Sequence, residues 1–186
     1  NERSLIRTEN ISNARNTCLH KMREATESGF SANYFIVMDM DNVCSGPMDL
    51  DVFKRAMDKN DKWDSISFNR EGYYDIWALS VDEYIYSCWG WHCSLEVGDH
   101  TKKYIIDKLS KTPKDELVEC RSAFNGFAIY KSSMFLNCSY SSVINLEYMP
   151  IDILEKEVEL TDSKLMPIFS DDCEHRMFHM ESIKKN

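Results

Sequence analysis

The chain of 186 residues contains no run approaching the roughly 18 apolar residues that a membrane helix requires, so no membrane span is expected. Cationic residues are in deficit, 22 Lys and Arg against 31 Asp and Glu, for a formal charge of −9. Nucleic-acid backbones are gripped by clustered Lys and Arg, so no nucleic-acid partner is expected. An anionic ligand has to bring a cation or find one in the site. The seven cysteines, Cys18, Cys44, Cys88, Cys93, Cys120, Cys138 and Cys173, include no C-x-x-C pair, which argues against a zinc knuckle. Their scatter and odd number predict mostly buried thiols in a reducing compartment. A reducing compartment makes the expected location cytoplasmic. There is also no internal repeat, low-complexity tract or linker, and the length fits one domain over residues 1–186.

What is present is a globular composition, 43% hydrophobic and 12% aromatic, with α/β alternation. Ile11, Ala14, Cys18, Leu19, Met22 and Ala25 recur at spacings of three and four with Gly29 beyond them, which predicts an amphipathic helix. Tyr34 to Met38 is an apolar run of strand length. Asp49 opens a second helix carrying Leu50, Phe53 and Met57, and Trp63 to Phe68 alternates like a strand. Between Gly72 and His100 the chain is dense in aromatics without a period, which predicts a long, partly packed loop of the kind that often binds ligands. A helix over 101–111, a strand over 126–130 and a C-terminal helix presenting Cys173, Met177, Met180 and Ile183 complete the reading. The pattern predicts an α/β domain with a mixed, mostly parallel central sheet flanked by helices.

The stretch YFIVMDMDNVCSG, residues 34–46, carries the most chemistry. A buried parallel strand ends at the carboxyl edge of its sheet, where open α/β folds place ligands. Asp39 and Asp41 lie just past the last apolar residues and share one side of an extended chain, so two carboxylates can face one cation. Such oxygen ligands suit Mg²⁺ or Mn²⁺ held jointly with substrate phosphates. The same residues also suit a plain turn, since Asp41, Asn42 and Gly46 all favour one.

Further segments extend the pattern. Ala14-Arg15-Asn16 lies in the first helix, Tyr74-Asp75-Ile76-Trp77-Ala78-Leu79 in the aromatic loop, and Phe124 to Tyr130 reads FNGFAIY. Asp171-Asp172-Cys173-Glu174-His175 leads into Phe178-His179. Taken in order with the D-x-D strand, these segments resemble the nucleotide-sugar glycosyltransferases of the GT-A fold, a Rossmann-like α/β architecture. Together they resemble the branch containing fungal capsule-type mannosyltransferases and the glycosyltransferase domains of large algal viruses, and a viral protein is expected in the host cytoplasm. The resemblance spans residues 7 to 180. It implies transfer of a hexose or deoxyhexose from a nucleoside-diphosphate sugar, with UDP the more frequent carrier, to a hydroxyl of a glycan or glycoprotein acceptor, with retained configuration. It also implies a Mn²⁺ or Mg²⁺ ion on Asp41 and Asp39. The family's one or two opening strands precede the Ala14-Arg15-Asn16 helix, and this sequence starts too late to contain them, so a missing N-terminal segment is expected.

The remaining assignments pair a functional role with a plainer one. Arg15 can contact a phosphate or hold Asp39 in place, or be an exposed helical Arg; Arg7 is a weaker candidate for the donor. Asp75 and Trp77 suit sugar recognition, and Trp77 suits a core plug equally. Asn125-Gly126 allows close backbone approach to the sugar or a turn into a strand. Asp171 and Asp172 suit any helix start, while the resemblance implies a carboxylate there near the reacting carbon, with Asp172 preferred as catalytic residue. His179 is a further candidate metal ligand and His175 a candidate acceptor contact; both also suit an ordinary polar helix face. Two rivals stand. A haloacid-dehalogenase-type phosphatase would use Asp39 as nucleophile and Asp171-Asp172 for Mg²⁺, but no lysine or Ser/Thr motif for it is found. A lectin-like module would use the aspartates for a structural cation.

Overall fold

A computed structural model describes residues 4–42, 46–70, 73–86, 95–161 and 172–186, the side chains of 95–97 and 161 excepted. The chain begins with α1 (Arg7–Glu27), then β1 (Tyr34–Met38), α2 (Leu50–Asp58), β2 (Ser65–Ser67), α3 (Leu95–Lys111) and β3 (Phe127–Lys131). The short α4 (Ser132–Phe135), α5 (Ile151–Thr161) and α6 (Glu174–Lys185) follow. The mixture of helices and strands is as expected. The sheet is not the expected one.

β3 is the middle strand of three, with β1 and β2 on either side, and both pairings are antiparallel. Tyr34 lies opposite Lys131 and Met38 opposite Phe127, while Ser65 lies opposite Tyr130. The mostly parallel sheet predicted from sequence is therefore absent among the described residues. β1 and β2 do run in the same direction, because each is antiparallel to β3, but they do not pair with each other. The apolar run of β1 suggested burial on both faces, whereas Phe35 is buried and Ile36 is half exposed at 52%.

Helix α1 forms where expected, with a partly different face inward. Its C-terminus is a Schellman motif: Phe30 N–H reaches Ala25 O at 3.0 Å and Gly29 N–H reaches Thr26 O at 2.9 Å. Gly29 supplies the φ of +95° that this closure needs. The predicted stripe included Ala14 and Cys18, both exposed. Leu19 of that stripe is buried and Met22 packs against the core, while Thr8 and Ser12 join the buried side, flanked by polar residues that bond across the fold. Asn16 exchanges two hydrogen bonds of 2.8 Å with the backbone of Tyr140, and Arg23 donates to Leu136 O and Cys138 O at 2.7 and 2.6 Å. Polar docking, invisible to an apolar periodicity, turns the helix.

The main core lies between α1, the sheet and α6, and contains Leu19, Phe35, Phe124, Ala128, Tyr130, Phe135, Tyr140 and Phe178. Tyr140 stacks on Phe178 with centroids 4.0 Å apart. A second cluster packs Ile85, Tyr86 and Leu154 of α5 against Met177 and Met180 of α6, and a third packs Leu79 and Val81 against Ile105 of α3. The aromatic segment is thus built into the core at Leu79, Val81, Ile85 and Tyr86, and α3 begins six residues earlier than the predicted 101. The sequence reading had no helix at α4 or α5; Trp89 and Trp91 of that segment lie outside the described residues.

Candidate functional site

The site forms at the C-terminal end of β1. Gly126, with φ of +82°, presents its carbonyl to Asp39 N–H at 2.8 Å, which fixes the first aspartate of the D-x-D stretch against the entry to β3. Asn125 beside it is buried and uses both ends of its amide. Its Oδ1 accepts from Tyr74 N–H at 2.9 Å and Asp75 N–H at 3.2 Å, and its Nδ2 donates to Phe68 O at 3.0 Å. The Asn125-Gly126 turn therefore ties three segments together: the end of β1, the exit from β2 and the loop at 74–75. This is a side chain holding backbone, so the expected sugar contact gives way to a positioning job for Asn125.

Arg15 reaches the same place from α1. Its Nη2 donates to Asp39 Oδ1 at 3.1 Å, its Nε lies 3.3 Å from Glu174 Oε1, and its Nη1 donates to His175 Nε2. The guanidinium lies over Phe124 at 4.9 Å and Tyr140 at 5.5 Å, so aromatic rings fix its plane while its nitrogens are fixed by acceptors. Burial opposes the charge on Arg15, but Glu174, then Tyr140 and Asp39, together hold its pKa above the ordinary value. The guanidinium is a permanent cation with several claims on it.

Carboxylates outnumber cations here. Asp39, 24% exposed at its side chain, and Glu174, 7% exposed, both contact Arg15. Asp75 is pushed up to about 7 by burial, with Glu174 and Asp39 adding to the rise and the Ala78 N–H and Arg15 opposing it. Asp39 is raised by burial, and the neighbouring Asp41 adds to it, against the pull of Arg15 and of the exposed Arg7. A carboxylate 3.1 Å from an arginine ordinarily has a lowered pKa. The direction is reversed because burial outweighs the pull of Arg15, with Asp41 adding to the rise. Half-exposed Tyr74 stands in the same field, its phenol raised by burial and then by Asp39, Asp75 and Asp41.

The residues expected near the C-terminus have other positions. Asp172 is 3% exposed, and both its carboxylate oxygens are engaged inside the protein: Oδ1 accepts from Cys173 N–H at 2.7 Å and Oδ2 from Arg176 Nε at 2.8 Å. It faces the core, a placement that differs from the one expected of a catalytic carboxylate near the reacting carbon. Asp171 lies outside the described residues. His175 is buried, stacked on Phe124 with centroids 3.8 Å apart, and burial together with Arg15 keeps it neutral; it supports Arg15 and offers no surface to an acceptor. His179 is a core histidine among Tyr130, Phe135 and Phe178, its Nδ1–H donating to His175 O at 2.7 Å. Burial lowers His179 to about 4, and the expectation of a metal ligand there is not met. Trp77 is packed against the main core and its carbonyl accepts from Arg176 at 2.6 Å, which favours the plug over the sugar contact.

Two participants escaped the sequence reading, Glu174 and Tyr74. Both sit inside quoted motifs, but only the packing of α6 against α1 shows that Glu174, the first residue of α6, turns back to Arg15. Among the described residues no group of three or more His, Cys, Asp or Glu side chains is arranged to hold a metal ion. A cation there would use at most two carboxylates, and phosphate oxygens would have to complete its shell, the usual arrangement for Mg²⁺. Comparison with known proteins returns no match: no family model, no curated protein and no solved structure aligns with this chain. No helix among the described residues is long and apolar enough to cross a membrane.

Proposed function

We propose that this protein is a metal-dependent glycosyltransferase of GT-A type, which moves a hexose or deoxyhexose from a nucleoside-diphosphate sugar, UDP being the expected carrier, to a hydroxyl of a glycan or glycoprotein. The observation that carries the reading is the excess of carboxylates over cations at the end of β1, where Asp39 and Glu174 share Arg15, Asp75 lies in the same field and exposed Asp41 stands two residues on. A half-buried site with surplus negative charge attracts a divalent cation and, through it, an anionic diphosphate. The antiparallel sheet departs from the Rossmann-like pattern; what remains in favour of the GT-A reading is the parallel sense of β1 and β2 and the placement of the D-x-D stretch at a strand's C-terminal end.

In this reading Asp39 and Asp41 would hold Mn²⁺ or Mg²⁺, whose contribution is Lewis-acid neutralisation of charge on the departing diphosphate. Arg15 orients Asp39. Asp75, titrating near neutrality, is suited to accept the proton of the acceptor hydroxyl, since a base works best with a pKa near the working pH. The phosphatase rival needs a second acidic pair at Asp171-Asp172, and the inward turn of Asp172 counts against it. The test is thermal unfolding with UDP, with and without Mn²⁺. Stabilisation that needs both supports the transferase; equal melting temperatures without ligand, with either alone and with both contradict it.

A further inference from the structure

We propose that Glu174 is a positioning residue that acts through Arg15 to keep the Asp39 carboxylate aimed and available at the end of β1. The inference rests on the reading of Asp39 as a cation and diphosphate ligand.

Each guanidinium nitrogen of Arg15 has a partner: Nη2 donates to Asp39 Oδ1, Nη1 donates to His175 Nε2, and Nε forms an ion pair with Glu174 Oε1 at 3.3 Å. A planar guanidinium held at three corners and faced by Phe124 and Tyr140 cannot rotate without breaking several contacts. The three partners differ in what they can give. His175 is neutral and offers a lone pair only. Asp39 and Glu174 carry charge, and Glu174 is the more buried of the two. If Glu174 were absent, the whole charge of Arg15 would fall to Asp39, and Arg15 would compete with an incoming cation for that carboxylate. With Glu174 present the charge is divided, and Asp39 is steered through one oxygen while keeping negative potential toward solvent. The ion pair from α6 to α1 thus does more than join two helices. It sets how strongly Arg15 holds Asp39.

Position in the fold supports the assignment. Glu174 is the first residue of α6, where a carboxylate is favoured by the helix dipole, and the rest of that helix is buried through Ser182, so its placement is rigid. Rigid support for a ligand is what a partner outside the direct contacts provides; loss of such partners typically costs about 10- to 100-fold in metal affinity.

The experiment compares wild type with Glu174→Gln, Glu174→Asp, Arg15→Ala and the Arg15→Ala/Glu174→Asp double variant. Two readouts are taken: Mn²⁺ titration in the presence of UDP, and the nitrogen-15 NMR signal of the Arg15 Nε–H. Glu174→Asp keeps the charge and shortens the reach by one methylene, so it separates positioning from simple loss of negative charge. The account expects Glu174→Asp and Glu174→Gln each to weaken Mn²⁺ affinity by about tenfold or more and to shift or broaden the Arg15 Nε–H signal. It also expects the double variant to bind no worse than Arg15→Ala. Wild-type affinity in Glu174→Asp, or additive losses in the double variant, overturns the proposal. If wild type does not respond to Mn²⁺ and UDP, the donor-site reading fails and the positioning role falls with it, whereas the Arg15 signal still reports whether Glu174 fixes the guanidinium.

Discussion

Two arginines in this protein sit among carboxylates, and they are used in different ways. Arg176 is fully buried and every group around it belongs to the interior: Asp172 Oδ2 at 2.8 Å, Ser80 Oγ at 2.5 Å, Trp77 O at 2.6 Å and the carbonyl of Ile85. Glu157 completes this region by accepting from Ile85 N–H at 2.8 Å and Tyr86 N–H at 3.1 Å. Arg15 is partly exposed and faces carboxylates that exceed the cations near them. The first cluster is closed and satisfied, so it fixes the 77–86 segment to α5 and α6. The second is open to solvent with charge to spare, so it can take a ligand. Burial of an ion pair alone distinguishes neither; the balance of charge and the access of solvent do.

Breaking the closed cluster has the largest expected effect. Arg176→Met leaves Asp172 buried without its cation, and the expected loss is about 3–5 kcal/mol, read by chemical denaturation, with poor soluble yield at 37 °C as its visible form. The equivalent change at the open cluster, Arg15→Met, is expected to cost less stability: Glu174 loses its cation, but Asp39 stays in contact with solvent and no buried hydroxyl or carbonyl loses a donor as Ser80, Ile85 and Trp77 do at Arg176. Equal losses at the two sites would dissolve the distinction.

The closed cluster also predicts a pH dependence. Glu157 is raised to about 7 by burial, against the opposing Tyr86 and Ile85 N–H groups and Arg176. A carboxyl whose folded pKa lies above its unfolded value binds its proton more tightly in the folded state. Its contribution is therefore complete below about pH 4.5 and is lost as pH rises through about 7. Between pH 5 and pH 8, wild type should lose about 2 kcal/mol relative to Glu157→Gln, measured as the difference in unfolding free energy. Parallel curves for the two proteins would place the titration elsewhere.

A smaller effect sharpens the role of the Asn-Gly turn. Asn125→Ala removes the acceptor for Tyr74 and Asp75 N–H and the donor to Phe68 O, an expected cost of about 1–2 kcal/mol in unfolding free energy. Because Asp75 is held by this turn, UDP-dependent stabilisation should weaken in the same variant beyond what the lost stability explains.

How much of this could be read from sequence depends on what each residue needs in order to act. The strand Tyr34–Met38 and the two aspartates after it were legible because an apolar run and a spacing of two are local properties. The stop at Gly29 was legible for the same reason. The buried face of α1 was not, since Asn16 and Arg23 enter the interior by bonding to the backbone at 136–140, and no periodicity of apolar residues records that. Nor does a strand's composition name its neighbour: β1 read as a central parallel strand and is paired on one side, antiparallel to β3. At the site, the motif singles out Arg15, but Asp172 and Glu174 flank the same helix start, Asp172 before the N-cap and Glu174 at the first turn, and only the packing of α6 shows which carboxylate points to α1 and which to Arg176. His175 and His179 share a helical face as expected, and that face is buried.

The central claim is that the end of β1 takes a divalent cation and a nucleoside diphosphate together. It is tested most directly by the melting temperature of wild type and Asp41→Ala with Mn²⁺ and UDP. Exposed Asp41 contributes little to packing, so the two proteins should unfold alike without ligand. With both ligands near a hundred times Kd, wild type should gain about 2.7 kcal/mol and Asp41→Ala almost nothing. Equal gains in the two proteins, or a wild-type gain that does not need Mn²⁺, would contradict the account.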